Sequence, residues 1–190
     1  MKMLFRLFWL IFSQSRRSRC SILGPVDTTL RVYPNDLDIF MHVNNGVYLT
    51  YADLGRTDMM LRSDVFSLIR EKGWYPVVAA ETITFKKSLK LGQRFTMTTR
   101  ILGWDDKAIY MEQVFTRSGT FVARALIDAR FLSRAGGKVG TAELYERVGM
   151  SGESPALPAS LKLWIESNKA ANLGSPATPQ PPLEPAPPLG

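Results

Sequence analysis

Eleven residues between two hydrophobic stretches hold most of the reactive groups in this sequence: Asn35-Asp36-Leu37-Asp38-Ile39-Phe40-Met41-His42-Val43-Asn44-Asn45. They bring together two carboxylates, three amides and the only histidine of the chain. The run leads directly into a helical pattern, so unpaired backbone N–H groups and the positive end of a helix dipole follow it. A carboxylate beside such donors suits acyl transfer, in which an oxyanion develops and needs stabilisation. Each residue also has a structural use. Asp38 and Asp36 can close Asx turns, with Asp36 the stronger candidate for shaping the turn. Asn44 or Asn45 can cap the helix. His42 can be hydrogen-bonded in place or belong to the site. One cysteine, Cys20, excludes an internal disulfide and a multi-thiolate zinc site, and no metal or other cofactor is expected.

The surrounding periodicities predict what positions this run. Val26 to Tyr33 reads as a strand closed by the turn Pro34-Asn35-Asp36. Tyr48, Tyr51, Ala52, Gly55 and Met59 recur with helical spacing, and Gly46 and Gly55 suggest close approach to a sheet. A second helix is expected from a Ser63 cap to Lys72, stopped by Gly73. From Val77 the period becomes two, giving strands over 77–85, 94–102, 108–116 and 120–132 joined by short turns. Short turns and clean alternation predict an antiparallel meander with one buried and one wetter face, hence an α+β domain over 24–150. In the first of these strands Glu81 shares parity with Val77, Ala79, Ile83 and Phe85, which makes it a candidate buried carboxylate.

The ends differ from the body. Removing Lys2, Arg6, Arg16, Arg17 and Arg19 from the net charge of +7 leaves +2, so basicity belongs to an arm over 1–22 and nucleic-acid binding is not expected. Met3 to Phe12 is too short to cross a bilayer. Arranged as a helix, the arm carries Lys2, Arg6, Trp9, Ser13 and Arg16 on one stripe beside an apolar surface. The expectation is an interfacial helix on an anionic membrane, with docking on the protein itself and a signal segment as alternatives. A terminal helix is expected over 156–172 and a disordered tail over 174–190, where seven of seventeen residues are proline.

The string from Asp38 through His42-Val43-Asn44-Asn45 to Tyr48, followed by Tyr51-Ala52-Asp53-Leu54-Gly55-Arg56, resembles hotdog-fold thioesterases of the 4-hydroxybenzoyl-CoA thioesterase type. The order strand, turn, helix, meander agrees over about residues 26 to 145. The arm and the run LGWDDKAIYMEQ are most similar to the thioesterase superfamily member 6 branch. The resemblance implies an antiparallel sheet of about five strands wrapped around a long central helix. It also implies an acyl-CoA or acyl-carrier-protein substrate, and a homodimer or dimer of dimers with sites between protomers.

On that resemblance Asp38 is the catalytic base or nucleophile. His42, Asn44 and Asn45 orient it or the substrate, and backbone N–H groups between Met41 and Asn45 hold the oxyanion. Met41 stands where many relatives have glycine. Tyr48, Tyr51, Met59 and Phe66 are candidates to line an acyl tunnel. Glu81 is a further candidate beside the substrate, and Lys86, Lys87 and Lys90, or Arg124 and Arg130, are candidates for its phosphates. The functional expectation is an acyl-CoA thioesterase at the cytoplasmic face of a membrane. The alternatives are a non-catalytic acyl-CoA-binding or scaffold protein and a hydratase or dehydratase.

Overall fold

The computed structural model describes residues 2–13, 17–147 and 153–173. These fall into two compact units, Met1–Ala156 and Leu157–Gly190. The first contains helix α1 (Lys2–Ser13), strand β1 (Val26–Arg31), a 3-10 turn (Pro34–Asp36) and helices α2 (Asn45–Arg62) and α3 (Val65–Glu71). Strands β2 (Trp74–Phe85), β3 (Arg94–Trp104), β4 (Ile109–Arg117), β5 (Thr120–Ser133) and β6 (Lys138–Val139) and helix α4 (Thr141–Arg147) follow. The second unit is described through helix α5 (Ala159–Leu173), close to the terminal helix expected there. The proline-rich tail expected over 174–190 and Arg16 of the arm lie outside the described residues.

The strands form one antiparallel sheet in the order β1-β3-β4-β5-β2, with β6 pairing with β5. Its alternation is the one the sequence predicts: Phe95, Met97 and Thr99 of β3 and Ala123, Ala125 and Ile127 of β5 are buried. The expected wetter face fails at β4, where Tyr110 and Glu112 are buried as well, and on β5, where Asp128 is buried and Phe121, expected on the buried face, is exposed. Polar groups there are paired within the protein. The Tyr110 hydroxyl donates to Asp105, and Glu112 accepts from both Arg100 and Arg124.

α2 lies against the concave side of this sheet, giving the expected α+β layout. Asn44 caps it by accepting from the Gly46 N–H at 2.9 Å. Tyr48, Tyr51, Ala52 and Met59 are buried at the predicted spacing, and Tyr48 meets Phe85 and Phe115 edge-on at 5.0 and 5.5 Å. Gly55 is where helix and sheet touch: a Cβ there would stand 2.3 Å from Met97 Cε. Gly46 has no such contact, since a Cβ would meet only the Asn44 side chain at 3.4 Å. α3 is capped at Asp64 rather than Ser63 and ends at Gly73, whose φ of +66° suits its lack of a Cβ.

A second stripe of α2 is also buried, and the helical spacing of its first face gave no sign of it. Leu54, Asp58 and Leu61 lie under the N-terminal arm: Leu10 of α1 packs on Leu54 and Leu61, and Arg17 pairs with Asp58 at 2.6 Å. The arm therefore docks on its own domain. Arg6, expected on the basic stripe of an interfacial helix, is instead buried in the contact. α1 leaves its other side exposed, and none of the described helices is long and apolar enough to cross a membrane.

Candidate active site

Between β1 and α2 the chain folds back on itself. Leu37 and Val43 form an isolated antiparallel bridge, and the Asp38 N–H donates to the His42 carbonyl at 2.8 Å. Inside this loop the Asp38 Oδ1 accepts from the Phe40 and His42 N–H groups at 2.9 and 3.2 Å. Two N–H donors fix the orientation of that carboxylate. Its second oxygen has no hydrogen-bond partner among the described residues, so it remains available to a water or a substrate. The same geometry satisfies both readings of Asp38, as turn residue and as reactive acid.

Met41 completes the loop with a φ of +60°, the left-handed region that favours glycine. The loop therefore adopts, with methionine, the conformation for which glycine is the low-cost residue. Its tip is apolar and open to solvent: Ile39, Phe40 and Met41 are exposed by 89%, 73% and 60%.

The oxyanion donors expected between Met41 and Asn45 narrow to one. The Met41 N–H goes to the Asp38 carbonyl, His42 to the Asp38 carboxylate, Val43 to Leu89, and Asn44 to the Asp36 carbonyl. Only the Asn45 N–H, at the first position of α2, has no acceptor in this run among the described residues. It carries the partial positive charge of the helix end. The Asn45 side chain is exposed, while His42 is half-buried and bridged through its backbone to Lys90. That bridge brings Lys90 to the site loop. Lys86 and Lys87 are exposed, with both N–H groups on the Val122 carbonyl. Of the arginines expected to meet phosphates, Arg124 pairs with Glu112 and Arg130 with Asp128.

Behind the loop sits an ion pair that sequence reasoning missed. Arg6 donates to Asp36 from both terminal nitrogens, at 3.2 and 2.6 Å, and to the Arg31 carbonyl at 3.1 Å. Asp36 also accepts from the Tyr33 N–H at 2.8 Å. The guanidinium lies 5.1 and 5.0 Å from the Tyr33 and Tyr51 ring centroids. Burial alone would lower the Arg6 pKa, but the hydrogen bond and charge of Asp36 leave it raised; burial and the same carboxylate raise that of Tyr51. The Asp36 carbonyl in turn receives the Asn44 N–H, so the pair and the α2 cap are joined through one residue. The only sequence signal was an arginine interrupting an apolar run.

The tunnel candidates separate. Tyr48 and Tyr51 are plain core, the Tyr48 hydroxyl accepting from the Leu89 N–H at 3.1 Å, and Phe66 is 39% exposed. Met59 does line a cavity of about 340 Å³ between α2, α3 and the sheet, with Met60, Val65, Met111 and Phe131. Asp53 and Arg56 are its charged lining. Arg56 is held by Asp53 and by Gln113 at 2.9 Å, while Gln113 itself donates to the Ala52 carbonyl at 2.9 Å. Glu81 reaches this group only at 3.9 Å from Arg56. It is not the buried carboxylate expected, since β2 is an edge strand and the Glu81 side chain keeps 27% exposure. A register shift between Val78 and Ala80 breaks the assumed run of parity from Val77, although Glu81 still pairs with buried Ile127.

This geometry has known counterparts. A family model for the thioesterase-like superfamily matches residues 32–165. The chain is 35% identical over 143 residues to Protein THEM6 of Xenopus laevis, covering 74% of this chain and 67% of that protein. It is 30% identical over 104 residues to the long-chain acyl-CoA thioesterase FadM of Escherichia coli, covering 54% and 79%. The solved structure of the probable thioesterase YbaW from Escherichia coli superposes with a TM-score of 0.61 at 26% identity, covering 65% of this chain and 96% of that one. Family and relatives together support thioester hydrolysis. With the match spanning most of the chain and the strand–turn–helix–meander order shared, this chain belongs to the thioesterase-like superfamily and has the hotdog fold.

Proposed function

We propose that the protein hydrolyses acyl-CoA thioesters with Asp38 as the reacting carboxylate and the Asn45 N–H as oxyanion donor. One observation carries this reading: Asp38 is fixed through one oxygen and free at the other, in the loop that delivers the chain to the α2 N-terminus. As a base, the free oxygen takes a proton from water while that water attacks the thioester carbonyl. The C–O bond forms, the C–S bond breaks, and the thiolate leaves to take up a proton. As a nucleophile, the same oxygen forms a mixed anhydride that water then cleaves. In both routes negative charge develops on the carbonyl oxygen, where a helix N-terminal N–H is favourable.

The apolar cavity is the natural seat for the acyl group, and its position favours a second copy of the chain. Asp53, at its edge, is eight residues beyond Asn45, or about 12 Å along the helix at the standard rise, so loop and cavity are well separated within one chain. β2 presents a twelve-residue edge strand with Tyr75, Val78 and Phe85 exposed, and the loop tip is apolar. Both features suit burial against another copy, with the Asp38 loop of one protomer serving the cavity of the next.

Thiol release from a panel of acyl-CoAs, short to long and aromatic, tests the reading with the full chain and its Asp38→Asn variant. The expected result is release by the wild type and a loss on the order of 10²-fold or more in the variant. Equal release by both would remove Asp38 from the reaction. No release by either, with acyl-CoA still raising the melting temperature, would favour the acyl-binding protein. That alternative draws on the same observation that leaves only one oxyanion donor in the loop.

A further inference from the structure

α1 keeps an aromatic stripe in solvent although it is docked. Phe5, Phe8, Trp9 and Phe12 recur at i, i+3, i+4 and i+7 and are exposed by 70%, 56%, 64% and 78%. Docking engages the opposite side, through Arg6 and Leu10. The stripe is thus not core that failed to find a partner within the unit; it is the surface left after the core contacts are made.

Beside the stripe, between α1 and the neighbouring ends of β1 and β3, lies an open cleft of about 390 Å³. Phe5, Trp9 and Tyr33 supply aromatic walls, and Arg6, Arg17, Arg31 and Arg94 supply charge; no carboxylate lines it. Arg6 and Arg17 are committed to Asp36 and Asp58. Arg31 and Arg94 are different. They are direct cross-strand partners on β1 and β3, both exposed, and neither has a carboxylate partner among the described residues. Like charges opposite one another on a sheet repel. Arg31 donates through Nε to the Gly92 carbonyl at 3.0 Å, and its terminal nitrogens have no hydrogen-bond partner among the described residues. Asp27, on the same strand, is occupied with the Thr98 hydroxyl at 2.6 Å.

Two adjacent guanidinium groups without an acid between them form a seat for an anion, and their planar forks match phosphate oxygens. We propose that this cleft binds the phosphate of an anionic phospholipid headgroup, with the α1 aromatic stripe resting in the membrane interface. The stripe decides for a lipid over a soluble phosphate compound. A nucleotide would use one or two rings at the cleft, whereas Phe8 and Phe12 lie outside the cleft lining and extend the apolar surface along the helix. Twelve helical residues span about 18 Å, so α1 lies on the bilayer and does not cross it. In this proposal the basic contribution comes from the sheet, through Arg31 and Arg94, because Arg6 of the helix is committed to Asp36. The proposal is independent of the role of Asp38.

Sedimentation of the full chain with vesicles tests it, using phosphatidylcholine alone and phosphatidylcholine mixed with phosphatidylserine. Phosphatidylserine should strengthen binding and added salt should weaken it. At about 1 kcal/mol per basic residue, the double variant Arg31→Gln/Arg94→Gln should bind the mixed vesicles on the order of 30-fold more weakly. Arg94→Gln alone, which breaks no hydrogen bond or ion pair among the described residues, should give part of that loss at an unchanged melting temperature. Phe8→Ser/Phe12→Ser should weaken binding to both vesicle types. Binding that ignores phosphatidylserine, or a folded double variant that binds like the wild type, would overturn the proposal. So would coenzyme A displacing the wild type from vesicles while the double variant has lost affinity for coenzyme A, which would make the cleft a nucleotide site.

Discussion

Arg6 and Asp36, thirty residues apart, form a two-pronged buried ion pair that fastens the N-terminal helix to the turn leading into the Asp38 loop. Buried pairs are seldom strong contributors to stability, because desolvation offsets attraction, but breaking one partner away leaves an uncompensated charge. Here the remaining charge would be an Asp36 carboxylate at 2% exposure, still accepting from the Tyr33 N–H of its own turn.

Arg6→Met should therefore cost about 3–5 kcal/mol in denaturant unfolding. The double variant Arg6→Met/Asp36→Asn should recover much of that loss, because no unpaired charge remains. Removing α1 altogether should be worse than Arg6→Met, since it also strips Leu10 from Leu54 and Leu61. Additive costs in the double variant would show that the pair is not the relevant unit.

Met41 stores strain of about 1–2 kcal/mol at its positive φ, as any non-glycine residue does there. Its side chain is 60% exposed and returns little packing. Met41→Gly relieves the strain but loosens the unfolded chain, a penalty of about 0.5–1 kcal/mol. The net expectation is a gain of up to about 1 kcal/mol with thioesterase activity retained. A clear loss of stability would mean that the methionine side chain holds the loop.

The sheet was legible because period-two alternation writes directly onto one face, as Phe95, Met97 and Thr99 show. The helix face from Tyr48 to Met59 and the Asn44 cap were legible for the corresponding helical reasons. What stayed hidden depended on partners distant in sequence. Arg6 reads as part of a basic stripe until Asp36 folds against it, and Leu54 and Leu61 read as scattered until Leu10 covers them. The shift at Ala79 changes no composition, so parity counted from Val77 misjudged the burial of Glu81. Oxyanion donors were the least legible feature, because they are whatever N–H groups the loop does not spend on itself.

Gly55 should tolerate no side chain. A Cβ would stand 2.3 Å from Met97 Cε, 2.9 Å from Gln113 Nε2 and 2.9 Å from Thr99 Oγ1. Met97 can swing away, but Gln113 is tied to the Ala52 carbonyl and Thr99, and Arg56 holds its other end. Gly55→Ala gains helix propensity of about 1 kcal/mol but should still destabilise by about 1–3 kcal/mol through overpacking. A more stable variant in thermal unfolding would show that helix and sheet can separate at this point.

The oxyanion assignment has a test that does not depend on the Asn45 side chain. Asn45 is the first residue of α2, a position where proline is tolerated because its N–H would be unpaired within the helix. Asn44 before it has φ −57° and ψ 138°, extended backbone compatible with a following proline. Asn45→Pro should thus fold while deleting the single free N–H, and Asn45→Ala should fold while keeping it. If that donor meets the developing oxyanion, Asn45→Pro should lose about 10²–10³-fold in kcat, while Asn45→Ala stays near the wild type. If both variants lose turnover alike, the side-chain amide is the working group and the helix N–H is not. If neither does, the donor must come from outside this loop, for which a second copy of the chain is the nearest source.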